Sequence, residues 1–550
     1  MTLTWRHYCG VALLTLLIFL PGRMSLVPLD RDEPRYMEAS AQMIESGNFV
    51  DVRFLDQPRY LQPAGIYWLE AAAQQIFSGR GERHVAWPYR IPSLIAAVSA
   101  VTLTAYLGAS LFGGVAGLLA AALLAVSTLL TAEGRMATID TVLLLDILLV
   151  ETALLRAYMD DRQGRDTPVG FAWLYWGALG CGLMLKGPVV LIPGIATPLA
   201  LRVIERQARW FSRLRPRWGW LVTLAVVAPW CIAIGVVSHG TFFSRAVGTN
   251  FLGKIGHGQQ AHGLPPGFHV GVFLLAFWPG SLFFVLGLPA IWARHREPAI
   301  RFLLCWIVPH WLVFEAIATK LPHYVLPTYP AIALLTAASL VCWPLRRPAA
   351  GWARGLLGLY AVLWSVLSLA FAVAGTVLLW KSEHRIEPAS LIASLGALPL
   401  ILGALWLLYR AQRLRAAWMA IASAVIIHAG IFLTVIPNLG LLQLAPRAAS
   451  LFDDYRPCNE SILVSVSYSE PSLAFLTGSN TRFLGVRDAA EFLSRHDACA
   501  LVLVDRKDLP ALTTAMTAQG YDLTEYGRVN GLNYSNGHHL DLGLYAPMKR

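Results

Sequence analysis

Stretches of about 20 mostly apolar residues recur along this 550-residue chain, and each is long enough to cross a hydrocarbon core of roughly 30 Å as a helix. Thirteen such runs are predicted, at 8–28, 91–112, 114–131, 139–157, 171–185, 187–204, 218–238, 269–293, 299–317, 325–343, 355–380, 390–408 and 416–437. The runs 171–185 and 187–204 meet at Lys186-Gly187-Pro188, where one kinked helix is the competing reading. Charge decides for two. With a cytoplasmic N-terminus, Arg156/Arg162/Arg165, Arg202 to Arg217, Arg294/Arg296, Arg346/Arg347/Arg354 and Arg410/Arg413/Arg415 all fall on one side, as the positive-inside rule requires. Merging the pair would reverse every later loop. These arginines account for much of the net charge of +11, so it is not read as a nucleic-acid footprint. The first run resembles a signal peptide, but no small-residue cleavage site follows it, and it is kept as a helix.

Thirteen crossings place the tail outside, so the chain divides into a membrane domain, 1–437, and an exported domain, 438–550. The external loop 29–90 belongs to the first. In it, Pro34 to Ser46 reads as an amphipathic helix opened by Asp32/Glu33 and stopped by Gly47-Asn48, and Ile66 to Phe77 as a second. Tyr67, Trp68 and Phe77 are types that favour the membrane interface, which suggests a platform on the outer leaflet. The tail alternates strand-like and helical segments, implying an α/β domain with a mostly parallel sheet. Cys458 and Cys499 each precede a predicted strand. If those strands are neighbours, the two can form a disulfide.

Ionisable groups at a membrane edge are costly unless paired or hydrated, so their positions carry information. Externally these are Asp30, Asp32, Glu33 and Arg35, then Glu133, Arg135 and Asp140, Lys186, Lys254, His257 and His262, and Lys320, His323 and Tyr324. Acids gather early and cations late. That pattern suits sugar transfer from a lipid phosphate, in which the departing phosphate needs Lys or Arg (or a divalent cation) and the attacking hydroxyl a carboxylate. Asp32 and Asp140 fit the carboxylate role, and Arg35, Lys186 and Lys254 the phosphate role. Plainer readings stand beside these: Asp32 and Asp140 as helix caps, Glu33 and Asp30 paired with Arg31 and Arg35, Lys186 snorkelling. The Gly-rich stretch 250–266 reads as a lid carrying Lys254, and its histidines match no standard zinc spacing.

Asp32-Glu33-Pro34-Arg35-Tyr36, Arg59-Tyr60 with Pro63-Ala64-Gly65-Ile66-Tyr67-Trp68, Leu185-Lys186-Gly187-Pro188 and Lys320-Leu321-Pro322-His323-Tyr324 together resemble the lipid A aminoarabinose transferases. Those are GT-C glycosyltransferases, allied to the protein mannosyltransferases. The resemblance implies an α-helical polytopic fold with a periplasmic α/β tail in the bacterial inner membrane. It implies a donor sugar on polyprenyl (undecaprenyl) phosphate and lipid A or another envelope glycan as acceptor. It makes Asp32 and Asp140 catalytic and places Arg35, Lys186, Lys254, Lys320, His323 and Tyr324 around the lipid phosphate or sugar. One departure stands out: Leu61-Gln62 precedes Pro63 where the family usually carries a charged pair. Metal use, the sugar and the acceptor therefore stay open, as do a lipid-sugar flippase and a protein O-mannosyltransferase.

Overall fold

The computed structural model describes residues 2–28, 32–78, 83–253, 264–344, 350–458 and 460–550. Each predicted apolar run contains helix. Among the described residues, eight helices are long and apolar enough to cross a membrane, counting the stretch Gly170–Glu205 as one, or nine if the pair Phe268–Ala276 and Gly280–Trp292, bent by 118°, is one span. The first helix ends at Phe19, and residues 21–25 form turns where the run to 28 predicted helix. Ile139–Arg162 is long enough, but Asp140, Asp146, Glu151 and Asp160 interrupt its apolar character.

The chain from Gly170 to Glu205 is helical almost throughout, yet it is not one rod. The Tyr175 hydroxyl donates to the Gly194 carbonyl at 2.9 Å, whereas a straight helix would hold residues 19 apart at roughly 28 Å. The chain folds back at Gly187, whose φ of +62° a side chain would oppose, so Gly170–Lys186 and Leu191–Glu205 are two helices as the arginine pattern requires. Deeper in the membrane, Glu151 accepts from Thr197 at 2.7 Å, an interhelical pair. Ile91–Phe112 and Gly114–Ala125 touch through their backbones: a Cβ on Gly108 would lie 2.6 Å from the Gly117 Cα, the close approach that small residues allow in lipid.

The tail forms a five-stranded sheet in the order Arg482–Phe483, Ile462–Ser465, Ala500–Asp505, His538–Lys549, Tyr521–Asn533. The first three strands are parallel. The last two pair antiparallel, so the sheet is mixed and the expectation of a mostly parallel one is corrected. Its long closing hairpin needs no crossover helix, which is why alternation of elements misjudged it. Leu463, Leu501 and Leu503 pack on one face against Leu444–Asp454, and Val464, Val502 and Val504 on the other against Val486–Arg495 and Leu509–Ala518.

Because Ile462 and Ala500 are register partners, Cys458 and Cys499 meet and are disulfide-bonded, with Cα atoms 5.8 Å apart. Closing a 41-residue interval contributes about 2–4 kcal/mol in chain-entropy terms. Cys499→Ser should lower the tail's thermal transition accordingly, and calorimetry showing no shift would mean that the bridge adds nothing.

The Asp32–Ser46 helix does not float on a leaflet, as the platform expectation had it. It is largely buried between Gly65–Phe77 and the tail's Pro471–Thr477 helix, where Met37, Ala41, Tyr89 and Phe475 share a small core. The Gly65–Phe77 helix does expose Trp68, Leu69, Ile76 and Phe77. Beside the shared core sit titratable groups. His84 lies 3.8 Å from Glu38 and 3.5 Å from Glu45, Arg83 lies 3.9 Å from Glu45, and the tail's Ser479 donates to Glu45 at 2.6 Å. Burial pushes the Glu38 carboxyl up to about 7 against the opposing pull of His84. Burial lowers the His84 imidazole, but Glu45 and Glu38 outweigh it and hold it above its ordinary value. Both groups keep protons longer when docked, so their contribution is complete at low pH and is lost as pH rises, for Glu38 through about 7 and for His84 above its ordinary range. Glu45 carries the opposite sign, because burial raises it but His84 and Ser479 hold it below the usual carboxylate range; its contribution fades only in acid. Hydrogen exchange in 471–478 should therefore quicken from about pH 6 to about pH 8 beyond the intrinsic rate, and Glu38→Gln should flatten the rise.

Candidate functional site

Two cavities adjoin where the loop 29–90 meets the helix ends, and they share Leu61, Gln62, Asp140, Lys186, Asn250, His323 and Tyr324. One, about 960 Å³, is largely apolar, with Leu143, Val189, Phe242, Phe314, Ile317 and Pro327 in its wall. The other, about 750 Å³, is polar and adds Asp32, Arg35, Tyr36, Arg59, Glu133 and Thr138.

Helix boundaries supply the charged groups. Asp32 is the first residue of its helix, Asp140 the second of Ile139–Arg162, and Lys186 the last of Gly170–Lys186. His323 and Tyr324 project from the short 3₁₀ segment Pro322–Thr328. Lys186 Nζ donates to Asp140 Oδ1 at 2.5 Å and stands 5.7 Å from the centre of the Tyr324 ring. His323 is 3.4 Å from Glu133 and 3.7 Å from Asp140, while Thr138 donates to Glu133 at 2.8 Å. Asp32 makes no hydrogen bond or ion pair among the described residues, so it does not cap its helix. Its carboxylate faces the polar chamber with its acceptor positions unused.

Six of the residues singled out from sequence therefore line the chambers: Asp32, Arg35, Asp140, Lys186, His323 and Tyr324. Lys320 does not. Its ammonium is buried against the carbonyls of Glu315, at 2.9 Å, and Ile317, where it satisfies the open end of Pro298–Ala316, so the substrate-binding expectation is corrected. Lys254, His257, His262, Asp30 and Arg31 lie outside the described residues. Glu33 pairs with Arg90, through bonds of 2.7 and 3.1 Å, a partner the sequence reading did not offer. Of the other lining residues, Arg59 and Gln62, which stand in the quoted motifs, Glu133, one of the external acids, and Asn250 had been given no role. Asn250 donates to the Leu61 carbonyl at 2.6 Å, tying the 241–252 segment to the loop. Among the described residues no group of three or more His, Cys, Asp or Glu is arranged to hold a metal ion, and Leu61 offers no ligand atom.

Helices surrounding a largely apolar chamber, a long loop packed over it and a small C-terminal sheet domain define a polytopic protein of the GT-C class, as the sequence motifs implied. Residues 61–232 match the family of dolichyl-phosphate-mannose-protein mannosyltransferases. The fold is similar to ArnT from Cupriavidus metallidurans bound to undecaprenyl phosphate, with a TM-score of 0.74 and 17% identity over 98% of this chain and 97% of that one. It is also similar to the archaeal oligosaccharyltransferase AglB from Archaeoglobus fulgidus, with a TM-score of 0.51 and 12% identity over 100% and 75% of the two chains. Relatives in sequence include undecaprenyl phosphate-α-4-amino-4-deoxy-L-arabinose arabinosyl transferases. That of Enterobacter sp. is 26% identical over 65% of this chain and 64% of its own length, and that of Pseudomonas aeruginosa (strain LESB58) 29% over 71% and 69%. The chain matches less than two thirds of the length of the first of these relatives. The chain is a GT-C-fold protein resembling the aminoarabinose transferases.

Proposed function

We propose that this protein transfers a sugar from polyprenyl (undecaprenyl) phosphate to lipid A or another envelope glycan at the periplasmic face of a bacterial inner membrane. The carrying observation is the shared wall between an apolar chamber and a polar one, with Lys186 in it. A prenyl chain fits the first and its phosphate the second. On this reading residues 1–437 hold the donor and 438–550 form a periplasmic cap. The bond between the anomeric carbon and the phosphate oxygen breaks as the acceptor oxygen attacks. Its electrons leave with the phosphate, whose charge Lys186 and Arg35 neutralise. Asp32 takes the acceptor's proton, or steadies the oxocarbenium-like carbon where the acceptor is already anionic. The relatives' printed substrates and the arginine bias support the donor and the orientation.

Liposomes holding the full chain, lipid A and undecaprenyl-phosphate-linked aminoarabinose or mannose provide the test, read by mass spectrometry. Lipid A should gain one sugar. Glycosylated peptide with unmodified lipid A would indicate a protein mannosyltransferase, and donor crossing leaflets without product would sink the transferase reading.

A further inference from the structure

We infer that Arg59 is an anion-binding residue of this site, one that grips the phosphate of the lipid carrier. The inference rests on the lipid-phosphate reading and deepens it. Arg59 sits in the wall of the polar chamber and is only 8% exposed. Its Nε donates to the Tyr67 hydroxyl at 2.9 Å, and its guanidinium carbon lies 5.3 Å from the centre of the Tyr36 ring. Those two buried rings, 5.6 Å apart, fix the plane of the fork. The Asp32 carboxylate acts on it only from beyond ion-pair distance. Arg59 has no carboxylate within ion-pair distance among the described residues, and its Nη1 and Nη2 make no hydrogen bond there.

A buried cation without a counter-ion is costly, and a side chain held so firmly in that condition is prepared for an anion that arrives later. Arg90 shows what a structural arginine looks like in the same protein: Glu33 and three backbone carbonyls occupy it. Lys186, a half-buried cation of the same chamber, is already matched by Asp140. Two free, coplanar N–H groups suit bidentate contact with phosphate oxygens better than a point charge would. Gln62 reaches the same Tyr67 hydroxyl at 3.4 Å, so a lysine there would enter the same space.

The test titrates the detergent-purified full chain with undecaprenyl phosphate and, separately, with uncharged undecaprenol, alongside melting curves of the apo protein. Arg59→Met should weaken phosphate binding by about 10- to 100-fold and leave undecaprenol binding unchanged. Its apo melting temperature should hold or rise, since the substitution removes a buried charge that no carboxylate contacts among the described residues. Arg59→Gln/Gln62→Lys should recover a large part of the loss. A lowered melting temperature in Arg59→Met with phosphate affinity intact would make Arg59 a structural residue and overturn the inference, leaving the donor reading standing. A wild-type protein that does not prefer undecaprenyl phosphate to undecaprenol would overturn both.

Discussion

Asparagine at position 32 is expected to cut sugar transfer by a factor on the order of 10² to 10⁴, the range a positioned general base supplies, without shifting the melting temperature. The separation of the two effects follows from what each chamber carboxylate already does. Asp140 is held by Lys186 at 2.5 Å and lies 3.7 Å from His323, and Glu133 accepts from Thr138. Asp32 makes no hydrogen bond or ion pair among the described residues. Removing its charge breaks no hydrogen bond or ion pair among the described residues, so stability loses only its longer-range attraction to Arg59, and its open acceptor positions are what transfer would use. Asp140→Asn should behave differently, losing activity and stability together, because it strands a partly buried ammonium. The measurement pairs initial transfer rates with calorimetry on the same preparations. An Asp32→Asn protein that keeps more than about a tenth of wild-type turnover would remove Asp32 from the role of base or electrostatic partner.

How much of this was legible in the sequence depends on the range over which each interaction acts. The runs of apolar residues and the arginine bias are local or additive, and they placed the helices and even the hairpin at Gly187, which the Tyr175 to Gly194 bond supports. The chamber residues at helix ends were visible for the same reason: Asp32, Asp140 and Lys186 interrupt apolar sequence where a helix begins or stops. Pairings over long separations were not visible. Arg90 is 57 residues from Glu33 and reads as an ordinary residue before a span. Arg59 stands in a motif without a role until Tyr36 and Tyr67 are brought around it. Lys320 shows the opposite error. Its motif pointed to ligand, but a lysine a few residues past a helix end also meets that helix's last carbonyls, and here backbone takes the ammonium. The buried face of Asp32–Ser46 was misjudged because amphipathicity says that a face is covered, not whether lipid or the tail covers it.

Glutamine at position 33, or leucine at position 90, is expected to cost about 3–5 kcal/mol of stability, the penalty for removing one member of a fully buried ion pair. Arg90 Nε and Nη2 meet the two Glu33 oxygens, Nη1 donates to the Arg23 and Leu26 carbonyls at 2.9 Å each, and the Ala137 N–H donates to Glu33 at 2.9 Å. One guanidinium thus joins the turn after the first helix, the start of Ile91–Phe112 and the Asp32–Ser46 helix. Swapping the two charges should not restore stability, since the backbone carbonyls need donors at position 90 and the Ala137 amide an acceptor at position 33. A variant lacking both side chains should lose less than the sum of the single losses, by a coupling of about 1–3 kcal/mol in denaturant titrations. The consequence for chemistry is specific. Asp32 is adjacent to Glu33 and has no tether of its own among the described residues, so Glu33→Gln should lower turnover at saturating donor more than it weakens donor binding. Loss of stability with turnover unchanged would show that the helix alone positions Asp32 and that the Glu33–Arg90 pair serves the fold.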